Sequence, residues 1–258
     1  MDKLTLTAIP AFTDNYIWLL TDAAGSAVLV DPGDAAPAQQ VLEMQKLNLT
    51  AILLTHHHPD HMGGAAELAG RHACPVFGPE REAREVVTVP VRQGMAADIP
   101  GMALRFLVLD IPGHTAGHIA FEGCGILFSG DTMFSAGCGR PFEGTHAELY
   151  GSLMKLAALP DDPRICCGHE YTLANLRFAA AVDPDNQAIR RYAAECEVRR
   201  ARGEATLPST LALERQVNPF LRCETAAVRD AASRHAGRDM KDAVDVFTVI
   251  REWKDGFK

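Results

Sequence analysis

The chain has 258 residues, 47% of them hydrophobic and 22% charged, with a formal net charge of −8. Such a composition excludes disordered, collagen-like and fibrous classes, and no run approaches the roughly 18 to 20 apolar residues of a membrane-spanning helix. What remains is an acidic globular protein of one large or two smaller domains, with no general pull on nucleic acid or anionic lipid.

Residues 4–9 alternate apolar and polar side chains before Pro10, and residues 16–20 and 27–30 follow as strands, the second ending at Asp31-Pro32-Gly33. A helix is expected over 35–46. Residues 51–54, 104–109, 125–129 and 165–167 are apolar runs too short for helices and bounded by turn residues, as buried strands are. Another helix is expected over 148–158. Beyond residue 170 the strand signals fade, and helical patterns separated by Asp183-Pro184, Leu207-Pro208 and Asn218-Pro219 take over. The charge balance changes at the same place. Residues 1–170 hold 10 Lys and Arg against 20 Asp and Glu, net −10, whereas residues 171–258 hold 15 against 13, net +2. These shifts place a mixed α/β domain over 1–170 and a small helical domain over 171–258.

Seven cysteines, two of them adjacent at Cys166 and Cys167, form no C-x-x-C pair. They read as reduced thiols in a cytoplasmic protein, and a bound metal must therefore use histidine and carboxylate. The opening MDKLTLTAIP lacks the basic-then-apolar pattern of an export signal.

Thr55-His56-His57-His58-Pro59-Asp60-His61 follows the strand over 51–54 directly. His56 and His58, two apart, can converge on one ion, while Asp60 and His61 are offset and can face a second. Further candidate ligands stand just past later strands: His114 in Gly113-His114-Thr115-Ala116-Gly117-His118, Asp131 after the run ending at Ser129, and His169 after Cys167. Strand ends that share one rim of a sheet gather such loops. His57 is expected to point away from its neighbours, and His118 to support its loop. Asp31 reads either as a plain turn residue or as a support that holds the metal loops through backbone hydrogen bonds. Arg251 and Lys254, three apart on an expected helix, share one face.

Taken together, the H-x-H-x-D-H motif, His114, Asp131 and His169 resemble the binuclear hydrolases of the metallo-β-lactamase superfamily. More narrowly, Phe12-Thr13-Asp14-Asn15-Tyr16, Gly137-Cys138-Gly139-Arg140, Gly168-His169-Glu170-Tyr171-Thr172, Asn218-Pro219-Phe220-Leu221-Arg222 and the basic end at Arg251 to Lys254 look like the hydroxyacylglutathione hydrolase, or glyoxalase II, family. This resemblance implies an α/β fold, a four-layer αββα sandwich with a small helical C-terminal domain. It implies two divalent metals, zinc foremost with iron or manganese tolerated: one held by His56, His58 and His114, the other by Asp60, His61 and His169. Asp131 and a hydroxide bridge them, with Asp60 and Asp131 counted as catalytic. Two divalent cations with two carboxylates and a hydroxide leave a formal charge of +1, which favours the oxyanion and thiolate formed as a thioester is cleaved. The implied reaction is hydrolysis of S-(R)-lactoylglutathione to glutathione and D-lactate, the second step of methylglyoxal detoxification. Arg140, Phe142, Tyr171, Arg251 and Lys254 would meet the glutathione moiety. Arg140 stands where Lys is common in better-known members, and Phe142, standing where Tyr is common, cannot donate a hydroxyl hydrogen bond. The implied protein is a cytoplasmic monomer acting on a small molecule, with no nucleic-acid or membrane partner. A glutathione persulfide dioxygenase with one iron on the same fold is the alternative. A structural zinc module is disfavoured, because seven ligands over two ions leave coordination positions open.

Overall fold

Strands Thr5–Ala11 (β1), Asn15–Thr21 (β2) and Ser26–Val30 (β3) pair antiparallel in chain order, in a computed structural model that describes residues 4–160 and 162–257. Helix Ala35–Gln45 (α1), capped by Asp34 accepting from the Ala36 amide, returns the chain so that Asn48–Leu53 (β4) lies parallel to β3. A one-turn helix, Pro59–Met62 (α2), and helix Ala65–His72 (α3) precede Val76–Pro79 (β5) and Val89–Val91 (β6), which extend the sheet in the same parallel sense. Leu42 of α1 and Leu68 of α3 share one core with Leu19, Leu29 and Ile52 of the strands. Strand β2 and the last residues of β4 are buried at successive positions, so both faces are covered, and they read as continuous apolar runs.

Ala96–Asp98 (β7), Arg105–Asp110 (β8), Ile119–Gly123 (β9) and Ile126–Gly130 (β10) form an antiparallel meander. Met133–Phe134 (β11) and Gly137–Cys138 (β12) make a small hairpin, followed by helix His146–Ala157 (α4), which a reciprocal Thr145–Glu148 capping box opens. After Arg164–Cys167 (β13) come Thr172–Val182 (α5), Gln187–Ala201 (α6), the short strand Ser209–Thr210 (β14), Leu211–Val217 (α7), Ala226–Ala236 (α8) and Ala243–Gly256 (α9). Among the described residues no helix is long and apolar enough to cross a membrane.

Two compact units emerge from the contacts: residues up to 110 with 117–130 and 166–170, and residues 111–116 and 131–165 with 171 onward. The sequence places a single cut near residue 170. By contacts, two earlier segments cluster with the helices, because the Ser152 hydroxyl of α4 donates to Pro112 O and the Gly144 amide to Gly113 O.

Within the second unit, Glu214 has no exposed surface and accepts from the Ser135 hydroxyl (3.0 Å), the Ala136 amide (2.7 Å) and Asn218 Nδ2 (3.1 Å). Burial pushes its carboxyl pKa up. Ala136 sits at φ 54°, so the β11–β12 turn holds a left-handed non-glycine residue and depends on this external tie. Replacing Glu214 by Ala strands several buried donors. The expected cost is about 3 kcal/mol, a fall in Tm of roughly 6 to 12 °C, with a smaller loss for Glu214→Gln. Thermal denaturation that leaves the alanine variant at the wild-type Tm would contradict the role given to the network.

Candidate active site

Because β3 and β4 run parallel, Asp31 and Thr55 leave the sheet side by side, with the Asp31 amide donating to Leu53 O at 2.9 Å. Asp31 is buried, at φ 51°, and its carboxylate accepts from the Thr55 amide (2.8 Å), the Thr55 hydroxyl (2.7 Å) and His61 Nδ1 (3.1 Å). Since that hydroxyl spends its hydrogen on Asp31, it accepts from His56 Nδ1 at 3.0 Å. One carboxylate thus sets the tautomers of both His56 and His61, turning each Nε2 lone pair away from Asp31. Of the two readings open for Asp31, loop support is the one observed, but its carboxylate reaches two side chains as well as the Thr55 amide, so it is not a matter of backbone hydrogen bonds alone.

His169 is treated the same way. Its Nδ1 lies 2.8 Å from Asp14 Oδ1, and a β-bridge between Asn15 and His169, with the Glu170 amide donating to Asp14 O, brings the two segments together. Asn15 Nδ2 donates to Asp60 Oδ2 at 2.9 Å and orients that carboxylate. Asp60 Oδ2, His61 Nε2 and His169 Nε2 then lie 3.4 to 3.6 Å from one another. Donors around a tetrahedral ion with bonds of about 2.0 to 2.1 Å are separated by roughly 3.4 Å, so this trio fits a divalent cation. With each Nδ1 donating to a carboxylate, the two Nε2 atoms turn their lone pairs toward each other, an arrangement a shared cation would satisfy. His56 Nε2 and His58 Nδ1 stand 3.1 Å apart, as the H-x-H spacing anticipates.

The motif does not reveal Glu82. Its carboxylate accepts from the His57 amide and the Gly117 amide and pairs with His57 Nδ1 at 2.9 Å, tying the histidine loop to the Gly117 loop. His118 stacks on His56 with ring centroids 4.5 Å apart, consistent with loop support. Gly33 must be glycine, because a methyl group there would overlap the Asp60 carbonyl.

In the second unit His114 Nε2 lies 3.5 Å from Asp131 Oδ2, and the Arg140 carbonyl accepts from His114 Nδ1 at 2.8 Å. A methyl group on Gly139 would overlap the Asp131 carbonyl, so glycine permits the close turn that brings Arg140 back to His114. The residues lining a cavity of about 430 Å³ include His114, Asp131, Arg140, Phe142, Tyr171, Arg251 and Lys254, which the sequence singles out, together with Phe134, Asn175 and Asp255, which it does not. Phe142 packs edge-on against His114 and Tyr171 against Phe134. Arg251 departs from a solvated helix face: it is 3% exposed, donates to Cys138 O and Asp255, and lies over the Phe220 ring. Lys254 donates to Ala174 O at 3.1 Å. Burial, reinforced by Arg251 and Arg177, pushes its pKa down to about 8.

The metallo-β-lactamase superfamily model matches residues 11–169, and the model described as hydroxyacylglutathione hydrolase C-terminus matches residues 170–257. The hydroxyacylglutathione hydrolase of Alkalilimnicola ehrlichii is 53% identical to this chain, covering 97% of it and 98% of the relative. That of Halorhodospira halophila is 50% identical, covering 96% and 97%. Among solved structures, ETHE1 from Myxococcus xanthus superposes with a TM-score of 0.68 at 25% identity, covering 96% of this chain and 91% of that one. A di-iron-bound form of TTHA1623 gives a TM-score of 0.55 at 27% identity, covering 84% and 100%.

Removing the carboxylate behind the histidines tests their arrangement. Asp31→Ala is expected to weaken divalent-metal affinity about 10- to 100-fold in chelator competition. An unchanged affinity would show that the rings need no such support.

Proposed function

Since the chain belongs to the hydroxyacylglutathione hydrolase family of the metallo-β-lactamase superfamily, we propose that it hydrolyses S-(R)-lactoylglutathione, and related 2-hydroxyacyl glutathione thioesters, to glutathione and the free hydroxy acid. Its αββα metallo-β-lactamase fold carries the C-terminal helical domain that family membership implies. One observation carries the substrate reading: His114 and Asp131 line the same cavity as Arg140, Arg251 and Lys254, so a candidate ligand pair and a cluster of cations face one space. A glutathione thioester bears carboxylates at one end and the scissile bond at the other, which is the polarity such a cavity accepts.

We assign His56, His58 and His114 to one divalent ion and Asp60, His61 and His169 to a second, with Asp131 shared, and zinc as the ion best suited to this imidazole-rich set. When bound, a pair of such ions lowers the pKa of water to about 7 and polarises a carbonyl oxygen. The protein's own contribution is orientation. Asp31 and Asp14 hold the protons on Nδ1 of His61 and His169, the Arg140 carbonyl does so for His114, and Asn15 fixes the Asp60 oxygen. A thiolate is a good leaving group, so no side-chain acid is assigned to it. Residues 1–170 would carry the chemistry and 171–258 most of the thiol-side recognition. The same reading makes the protein a cytoplasmic monomer whose net charge of −8 disfavours nucleic-acid and anionic-membrane partners. The persulfide dioxygenase alternative is set aside, since relatives at 50% and 53% identity over nearly the whole chain carry the hydrolase name.

Asp131→Ala should lower bound metal from two ions to one and thiol release from lactoylglutathione at least about 100-fold. Full activity with unchanged metal content would refute the shared ligand, and oxygen uptake in place of thiol release would favour the alternative. The depressed Lys254 pKa sets a second expectation. Its charge is present below about pH 8 and lost above it, so kcat/KM for the anionic thioester should fall through that pH. Lys254→Arg should move the fall to higher pH; a wild-type profile flat across pH 7 to about 9 would contradict the contact.

A further inference from the structure

Among the described residues, Asp255 is the only acidic one besides Asp131 that lines the cavity, and the chemistry described so far does not use it. Its Oδ1 lies 2.9 Å from Arg140 Nε and accepts from Arg251 Nη2 at 2.9 Å, so one oxygen pairs with two of the three cavity cations. It stands in the last turn of α9, where a carboxylate meets the negative end of the helix dipole and is unfavourable unless cations compensate it. The two arginines are not equivalent partners. Arg251 is 3% exposed, anchored to the Cys138 carbonyl, and its Nε, though buried, has no hydrogen-bond partner among the described residues. Arg140 is 56% exposed at the side chain and can exchange partners. Such a buried cation keeps Asp255 in place, whereas the exposed one is the contact a ligand can take over.

We propose that Asp255 is a built-in competitor for the carboxylate of the bound glutathione moiety, holding Arg140 in the free protein and yielding it when an anionic ligand enters. Resting on the substrate reading above, this makes Asp255 a specificity-determining residue. A ligand without a carboxylate at that end leaves the Arg140–Asp255 pair intact. A carboxylate ligand must displace it, which weakens product glutathione as well as substrate and so favours product release.

Calorimetric titration of glutathione into the metal-loaded protein tests this directly. Wild-type, Asp255→Asn, Arg140→Gln and the double variant would be compared at low and high salt. Asparagine keeps an acceptor for Arg251 while removing the competing charge, and Asp255→Ser serves where asparagine impairs folding. Asp255→Asn should bind glutathione about three-fold more tightly, the scale of one solvent-exposed ion pair, and the gain should shrink with salt. In the Arg140→Gln background the same substitution should give no gain. Equal or weaker binding by Asp255→Asn, or a gain that persists without Arg140, would overturn the competition; a merely structural aspartate predicts the weaker binding. Wild-type protein that binds no glutathione at all would overturn the substrate reading and this inference with it. Wild-type binding without any tightening in the variant would overturn this inference alone.

Discussion

An imidazole can turn about its last side-chain bond, and a carboxylate placed behind it stops the turn. The site depends on that constraint. Asp31 holds His61 directly and His56 through the Thr55 hydroxyl, and Asp14 holds His169. Each of these Nδ1 atoms donates backwards, so each Nε2 is left as an acceptor whose direction the scaffold decides. The fold then reads as a means of bringing the carboxylates to their histidines. Parallel pairing of β3 and β4 sets Asp31 beside Thr55, and the Asn15–His169 bridge brings Asp14 across 155 positions of sequence. With donor atoms already 3.4 to 3.6 Å apart, little rearrangement separates the protein from a coordinated ion.

The second unit handles charge by a different means. Its cavity carries Arg140, Arg251 and Lys254, cations that repel one another, and the structure tempers them individually. Burial lowers the Lys254 pKa, Arg251 is locked against a carbonyl and an aromatic ring, and Asp255 balances two of the three. An acidic protein with a net charge of −8 thereby keeps a localised positive space without becoming a general anion binder.

The candidate ligands stand out in the sequence because they are chemically rare and locally clustered. His56, His58, Asp60 and His61 fall within six positions after an apolar run, and that run is β4, buried over its last three residues. The expected strands over 16–20, 27–30 and 165–167 lie inside observed β2, β3 and β13, since buried strands leave unbroken apolar runs. The supports were harder to see. Glu82 and Asp14 are ordinary acids lying 25 and 155 positions from the residues they hold, and only tertiary pairing gives them meaning. Glu214 is an acid on the buried stripe of α7, between Leu211 and Val217, and only its tertiary partners show what it does there. Arg251 shares the expected helix with Lys254, but the pattern could not distinguish a solvated arginine from one buried under a carbonyl. Short strands such as β5, β6 and β7 carry too few residues to show a period.

Crystallography of the metal-loaded protein at the absorption edge of the bound metal tests the central claim most directly. The account predicts an ion about 2.0 to 2.2 Å from Asp60 Oδ2, His61 Nε2 and His169 Nε2, with Asp31 and Asp14 still accepting from the two Nδ1 atoms. An ion bound through Nδ1 of either histidine, or one that leaves this trio uncoordinated, would contradict it.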